Sequence, residues 1–106
     1  MAKYMFTGSF AVDGARGLIA EGGTRRRDVV DKLFASLGGT LESYYFGFGS
    51  DDFFIVGDLP GNAAAAACAL TTSASGAVRT RTVVLMTPEE IDAATKLTPA
   101  YRAPGS

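Results

Sequence analysis

The chain has 106 residues and a formal net charge of −1, with 47% hydrophobic and 20% charged residues. This length fits one domain, residues 1–106, which can bury a single core. The even charge balance argues against a nucleic-acid binder, which would normally be basic. The sequence also lacks the apolar run of about 18 residues that a membrane span requires.

The amino acids that are missing restrict the chemistry. There is no histidine, which is the commonest metal ligand and general base. Cys68 is the only cysteine, so an internal disulfide is impossible and a reducing compartment is indicated. Its Ala-rich surroundings predict a buried, inert thiol. We therefore expect no metal site and no cofactor. We expect a cytoplasmic location, because the N-terminus passes directly into a strand pattern without a signal-peptide core.

Hydrophobic periodicity divides the chain into strands and helices. Strands are predicted where apolar and polar residues alternate or where a short apolar run lies between turn signals, and helices where apolar residues recur at spacings of three and four. The predicted elements in chain order are a strand over residues 3–10, a short helix from Asp13 to about Glu21, a helix from Thr24 to about Leu37, strands over residues 40–48 and 52–58, a helix from Pro60 to about Ser73, a strand over residues 77–86 and a helix over residues 88–96.

Caps and breakers support the helices. Asp13 and Thr24 are candidate N-caps, and Gly22-Gly23 separates the two helices that they begin. The clearest start signal is Thr87-Pro88-Glu89-Glu90, which combines a capping threonine, proline at the first helical position and glutamate three residues after the cap.

The order of these elements predicts the fold. It is β-α-β-β-α-β with a C-terminal helix, the order of an α+β, ferredoxin-like fold in which two helices cover one face of an antiparallel sheet. The tail over residues 97–106 contains two prolines and is expected to lie extended over a neighbouring surface.

The second and third strands are apolar on both faces. In the segment Phe53-Phe54-Ile55-Val56 every residue is apolar, and alternation over residues 40–48 places Leu41 and Tyr45 opposite Tyr44. Several aromatic side chains left in water would forfeit several kcal/mol, at about 25 cal/mol per Å². A patch of that size usually marks an interface. We therefore predict a homodimer or higher oligomer joined through the sheet face that the helices leave uncovered.

Eight segments spread over nearly the whole chain carry a family resemblance. They are Lys3-Tyr4, Glu21-Gly22-Gly23-Thr24, Leu37-Gly38-Gly39, Tyr44-Tyr45-Phe46, Asp58-Leu59-Pro60, residues 74–79, residues 85–92 and residues 101–105. Together they resemble the GYD-domain family of small bacterial proteins. The namesake tripeptide falls between Gly49 and Asp52, where Asp51 stands in place of the family's tyrosine. The resemblance implies a dimeric α/β barrel and leaves the activity open.

Two groups of residues are candidates for ligand binding. Thr24, Arg26 and Arg27 lie at the start of a helix, where backbone N–H groups and guanidinium groups suit a carboxylate or phosphate. The alternative is that the arginines form solvated ion pairs on the surface.

The second group combines aromatic and basic residues of the strands. Tyr4 and Tyr44, together with Arg79 and Arg81, are predicted to line a pocket for a small acidic ligand. The alternative interpretation makes the two arginines structural, paired with carboxylates across the sheet or on a second subunit.

Three functions are compatible with the sequence. The first is a non-enzymatic oligomer that binds a small anionic or aromatic molecule or a partner protein, because no catalytic motif is present. The second is a cofactor-free enzyme, such as a monooxygenase or isomerase, which rests on analogy of fold alone. The third is an assembly or scaffold protein. No catalytic residue can be assigned.

Overall fold

The computed structural model describes residues 1–106 and has an α+β fold. The elements in chain order are β1 (Ala2–Phe10), α1 (Val12–Glu21), α2 (Gly23–Ser36), β2 (Thr40–Phe46), β3 (Phe53–Leu59), α3 (Asn62–Ala74), β4 (Val78–Leu85) and α4 (Pro88–Thr95). The four strands form one antiparallel sheet in the order β2-β3-β1-β4. This is the strand order of a ferredoxin-like fold, so the predicted fold class is confirmed.

The hairpin between β2 and β3 differs from the prediction. The second strand ends at Phe46 rather than at residue 48, and residues 47–52 form the connection. The Gly47 N–H donates to the Asp52 carbonyl oxygen at 2.9 Å, which closes the loop. Phe48 lies at the tip and is fully exposed. The loop is longer than predicted because the strand pairing stops at Phe46 and Phe53.

The N-terminal ends of α1 and α2 also differ from the prediction. Gly22 has φ +86°, a conformation that side chains disfavour, and it ends α1 and begins α2. Thr24 is therefore inside α2 and does not cap it. Asp13 lies in the first turn of α1 and makes no capping hydrogen bond, because Ala11 holds the cap position.

The capping box at the start of α4 is confirmed. Thr87 Oγ1 accepts from the Glu90 N–H at 3.1 Å, and the Thr87 N–H donates to Glu90 Oε1 at 3.0 Å.

The core lies between one face of the sheet, here called the helix face, and the helices α2 and α3. Phe34 of α2 is 1% exposed and packs edge-on against Phe6, with ring centroids 5.8 Å apart. A Cβ atom at Gly57 would lie 2.4 Å from the Phe34 ring, so glycine is required for the ring to reach the sheet. Cys68 is buried, as predicted. The remaining buried core residues are Tyr4, Val30, Phe53, Ile55, Leu59 and Ala65.

A bulge in β2 changes which of its residues lie on each face of the sheet. The register shifts between Leu41, which pairs with Gly57, and Ser43, which pairs with Val56. Leu41 therefore lies on the helix face with Tyr44, and not on the face of Tyr45 as simple alternation predicts.

The other face of the sheet, here called the open face, carries an apolar patch. No helix of the chain covers it, and its side chains are set by the strand register. Tyr45 is 70% exposed and Phe54 37% exposed, which agrees with the predicted two-sided apolar character. The apolar residues that the register places there are Met5, Tyr45, Phe54, Val56, Val83 and Leu85.

Candidate functional site

The sheet separates the four residues that were predicted to share one pocket. Tyr4 pairs with Gly57 and Tyr44 with Ile55, so both phenols lie on the helix face. Arg79 pairs with Ser9 and Arg81 with Thr7, which places both guanidinium groups on the open face. One ligand therefore cannot contact an arginine and a tyrosine of this set within one subunit.

Tyr4 has a structural partner. Its ring is 2% exposed, and its hydroxyl donates to Asn62 Oδ1 at 2.7 Å. Asn62 is the first residue of α3. The bond therefore ties β1 to the start of α3, and it satisfies a polar atom that would be costly to bury alone.

On the open face, Arg81 is paired and Arg79 is not. Arg81 Nη2 lies 2.5 Å from Asp51 Oδ2, and Asp51 is the residue that replaces the namesake tyrosine. The next carboxylate, Asp52, points elsewhere and accepts the Phe10 N–H at 3.0 Å. The two aspartates are thus structural and do not form an acid–base pair. Arg79 is exposed and has no carboxylate within ion-pair distance.

A small cavity lies between the helix face and the helices α2 and α3. Its volume is about 30 Å³, which is room for about two water molecules. The wall is mostly apolar, and the Tyr44 ring packs against Phe46 with centroids 4.8 Å apart. Polar groups reach the wall through Arg26, Tyr44, Thr72 and Thr80. The space suits a short apolar group with a polar group at its entrance.

Arg26 differs from its two neighbouring arginines. It is partly buried, lines the cavity, and has no carboxylate within ion-pair distance. Arg25 lies 4.0 Å from Glu21, and Arg27 lies 3.7 Å from Asp28, both on the surface. Arg25 and Arg27 therefore form the surface ion pairs of the alternative interpretation, and Arg26 is the one of these three arginines that lines the cavity. Thr24 is exposed and does not line the cavity.

A second cavity adjoins the first at Arg26. It has a volume of about 130 Å³ and lies along α1, where Asp13 and Glu21 also line it. Two carboxylates on that side disfavour an anion there. An acid group that pairs with Arg26 is therefore expected on the inner side, towards Tyr44.

Helical spacing in the sequence already distinguishes Arg26 from the two neighbouring arginines. Helical spacing places Arg26 in line with Val30, Leu33 and Phe34, at intervals of four, seven and eight residues. Residues at these intervals share one helix face, and that face is the one packed on the sheet. Arg25 and Arg27 fall outside it.

The surroundings of Tyr44 shift the pKa of its phenol. Burial raises its pKa above the ordinary value of 10.0, and the positive charge of Arg26 opposes part of that rise. The group is therefore a neutral hydrogen-bond donor at physiological pH.

This shift predicts a loss of stability in alkali. Because the phenolate is disfavoured in the fold, the unfolded chain ionises first, and the folded state loses stability as the pH rises above about 10. We expect Tyr44→Phe to reduce the slope of unfolding free energy against pH in this range, measured by urea denaturation. Burial also raises the pKa of the Cys68 thiol, so the comparison must be made with Cys68 intact. Equal slopes for the wild type and Tyr44→Phe would contradict the assignment.

None of the helices combines the length and the apolar character needed to cross a membrane. No three or more Cys, Asp or Glu side chains are grouped as metal ligands would be.

Comparisons with known proteins identify the family. The family model described as GYD domain matches residues 4–95, from β1 to the end of α4. No curated protein and no solved structure matches the chain. The matched segment covers most of the 106 residues and includes every strand and helix that forms the cavity. The chain therefore belongs to the GYD domain family.

Proposed function

We propose that the protein is a homodimer that binds a small molecule with an acid group and a short apolar body. The ligand lies in the cavity between the helix face and α2. Its acid group pairs with Arg26, and its apolar part rests among Phe6, Phe53 and the Tyr44 ring. The observation that carries this proposal is a partly buried arginine, without a carboxylate partner, in the wall of an apolar cavity.

The energetics favour an acid over a neutral ligand. A charge-assisted hydrogen bond contributes about 1.5–3 kcal/mol, more than a neutral one. A guanidinium that has no carboxylate partner and is partly removed from water gains from an anion that replaces the lost hydration. Tyr44 stands beside it as a neutral donor, which can bind the second oxygen of a carboxylate.

The composition of the cavity supports binding rather than catalysis. Its ionisable groups are Arg26, Tyr44 and Cys68, and burial raises the pKa of both the phenol and the thiol. Neither group is poised to exchange a proton near neutral pH. The unfilled space argues equally against a purely structural scaffold, whose interior would be packed.

Dimerisation is the second half of the proposal. The apolar residues of the open face are unprotected in one chain, and a second copy would cover them in a two-fold arrangement. The buried single thiol supports a cytoplasmic location.

The binding site is tested with simple acids and their amides. We expect acetate and propanoate, whose apolar parts are short enough for the cavity, to bind the wild-type protein more tightly than acetamide and propanamide do, by about tenfold or more. Arg26→Met should remove this preference for the acid. Binding can be followed by calorimetry and by chemical-shift changes of residues that line the cavity.

Arg27→Met is the matched control, because it removes the same charge from the same helix outside the cavity. It should keep the preference for acids. If Arg26→Met and Arg27→Met bind the acids equally, or if the wild type prefers neither acid to its amide, the proposed site is wrong.

A further inference from the structure

The C-terminal segment over residues 86–106, here called the arm, extends away from the rest of the chain. Every residue of the arm is exposed, including Met86, Ile91, Leu97 and Tyr101. The radius of gyration is 16.8 Å, and the longest dimension is 57 Å against 33 and 22 Å. A compact chain of about this length has a radius near 13 Å. The arm therefore finds no cover within its own chain.

The helix in the arm needs a packing partner. α4 has eight residues, and isolated helices shorter than about 12 residues are marginal in water. Its capping box and first-turn proline strengthen the start, but no α4 residue is buried. Ile91, Ala94 and Leu97 recur at intervals of three and mark one side of the segment as apolar. A stable α4 therefore calls for a surface supplied from outside the chain.

Charge complementarity points to a second copy of the same chain. α4 carries Glu89, Glu90 and Asp92 without a basic residue, and neither Glu89 nor Asp92 belongs to an ion pair. Arg79 is the arginine of the open face that has no partner. It lies at the start of β4, six residues before the end from which the arm leaves. That separation is about 20 Å along a strand. The carboxylates of α4 and the Arg79 guanidinium are therefore far apart within one chain.

A two-fold axis between two subunits would bring α4 of one subunit close to Arg79 of the other. In a dimer whose two β4 strands run in opposite directions, the end of one strand lies near the start of the other. Each arm then reaches the Arg79 of the other subunit, and the contact is made twice.

We propose that residues 86–106 pack against the second subunit of the homodimer, with the carboxylates of α4 facing Arg79 of that subunit and the apolar side of the arm buried. This inference rests on the proposed dimer, and it adds which segment secures that dimer. The same face-to-face arrangement covers the apolar patch of the open face, so one partner satisfies both surfaces.

The test uses the full chain and two matched leucines. Leu97 on the arm is 72% exposed and Leu70 on α3 is 71% exposed. We expect Leu97→Asp to weaken dimerisation by about tenfold or more, as loss of an interface anchor does, and Leu70→Asp to leave it within about twofold. Sedimentation over a dilution series gives the dissociation constants, and circular dichroism checks that both variants fold.

A charge reversal tests the pairing itself. Arg79→Glu should weaken the dimer, and adding Glu89→Arg and Asp92→Arg should restore part of the loss. If neither Leu97→Asp nor Arg79→Glu changes the dissociation constant, the proposal is overturned. If Arg79→Glu weakens the dimer without rescue, the charge pairing is overturned.

These outcomes separate the arm from the dimer. If the wild type is a monomer, both the proposed dimer and the proposed arm contact are wrong. If Phe54→Asp dissociates the dimer while Leu97→Asp and Arg79→Glu both remain dimeric, only the arm proposal is wrong.

Discussion

Phe54→Asp is expected to convert the proposed dimer to a folded monomer. Phe54 lies on the open face, paired with Thr7 on one side and Tyr45 on the other. In the dimer each subunit would bury a carboxylate among apolar side chains, and an unpaired buried charge costs several kcal/mol. A two-fold interface suffers the loss twice. Sedimentation at micromolar concentration should therefore show a shift from dimer to monomer.

The matched control is Phe48→Asp. Phe48 is fully exposed at the tip of the 47–52 loop, so the same substitution there should keep the dimer and leave the thermal midpoint nearly unchanged. The expectation fails if the wild type already sediments as a monomer, or if Phe54→Asp remains a dimer over the same dilution range.

Phe34→Ala is expected to lower the free energy of unfolding by about 3–5 kcal/mol. The ring is 1% exposed, meets Phe6 edge-on and packs directly over Gly57. The backbone at Gly57 cannot move up to fill the gap, because it is held in the sheet between Tyr4 and Leu41. A cavity would therefore remain, and it would add to the lost transfer energy. Urea denaturation of both proteins measures the difference.

Phe48→Ala is the matched control for Phe34→Ala. It removes the same atoms from a fully exposed position, and the expected change is within about 0.5 kcal/mol. A loss of less than about 1 kcal/mol for Phe34→Ala would mean that the ring does not anchor α2 on the sheet.

The sequence predicted the elements well because their signals are local. Gly22-Gly23 divides α1 from α2, and the capping box at Thr87 begins α4, as expected from caps and breakers alone. The bulge in β2 was not predicted. The bulge between Leu41 and Ser43 leaves no mark in the local pattern, because it depends on the register against β3.

The candidate site was harder to predict for a related reason. Alternation shows that Arg79 and Arg81 share a face of β4, and that Tyr4 shares one with Phe6. Whether these are the same face depends on how β4 pairs with β1, which is a contact distant in sequence. Arg26, by contrast, could be found from helical spacing alone, because its apolar neighbours Val30 and Phe34 lie on the same helix.

Native mass spectrometry of the untagged protein, purified from its own source under mild conditions, tests the central claim most directly, since it reports stoichiometry and retained ligand together. The account predicts a dimer that carries a small acid, and a dimer of Arg26→Met, prepared in the same way, that has lost it. A monomer, or a dimer in which Arg26→Met retains the same bound mass as the wild type, would contradict the account.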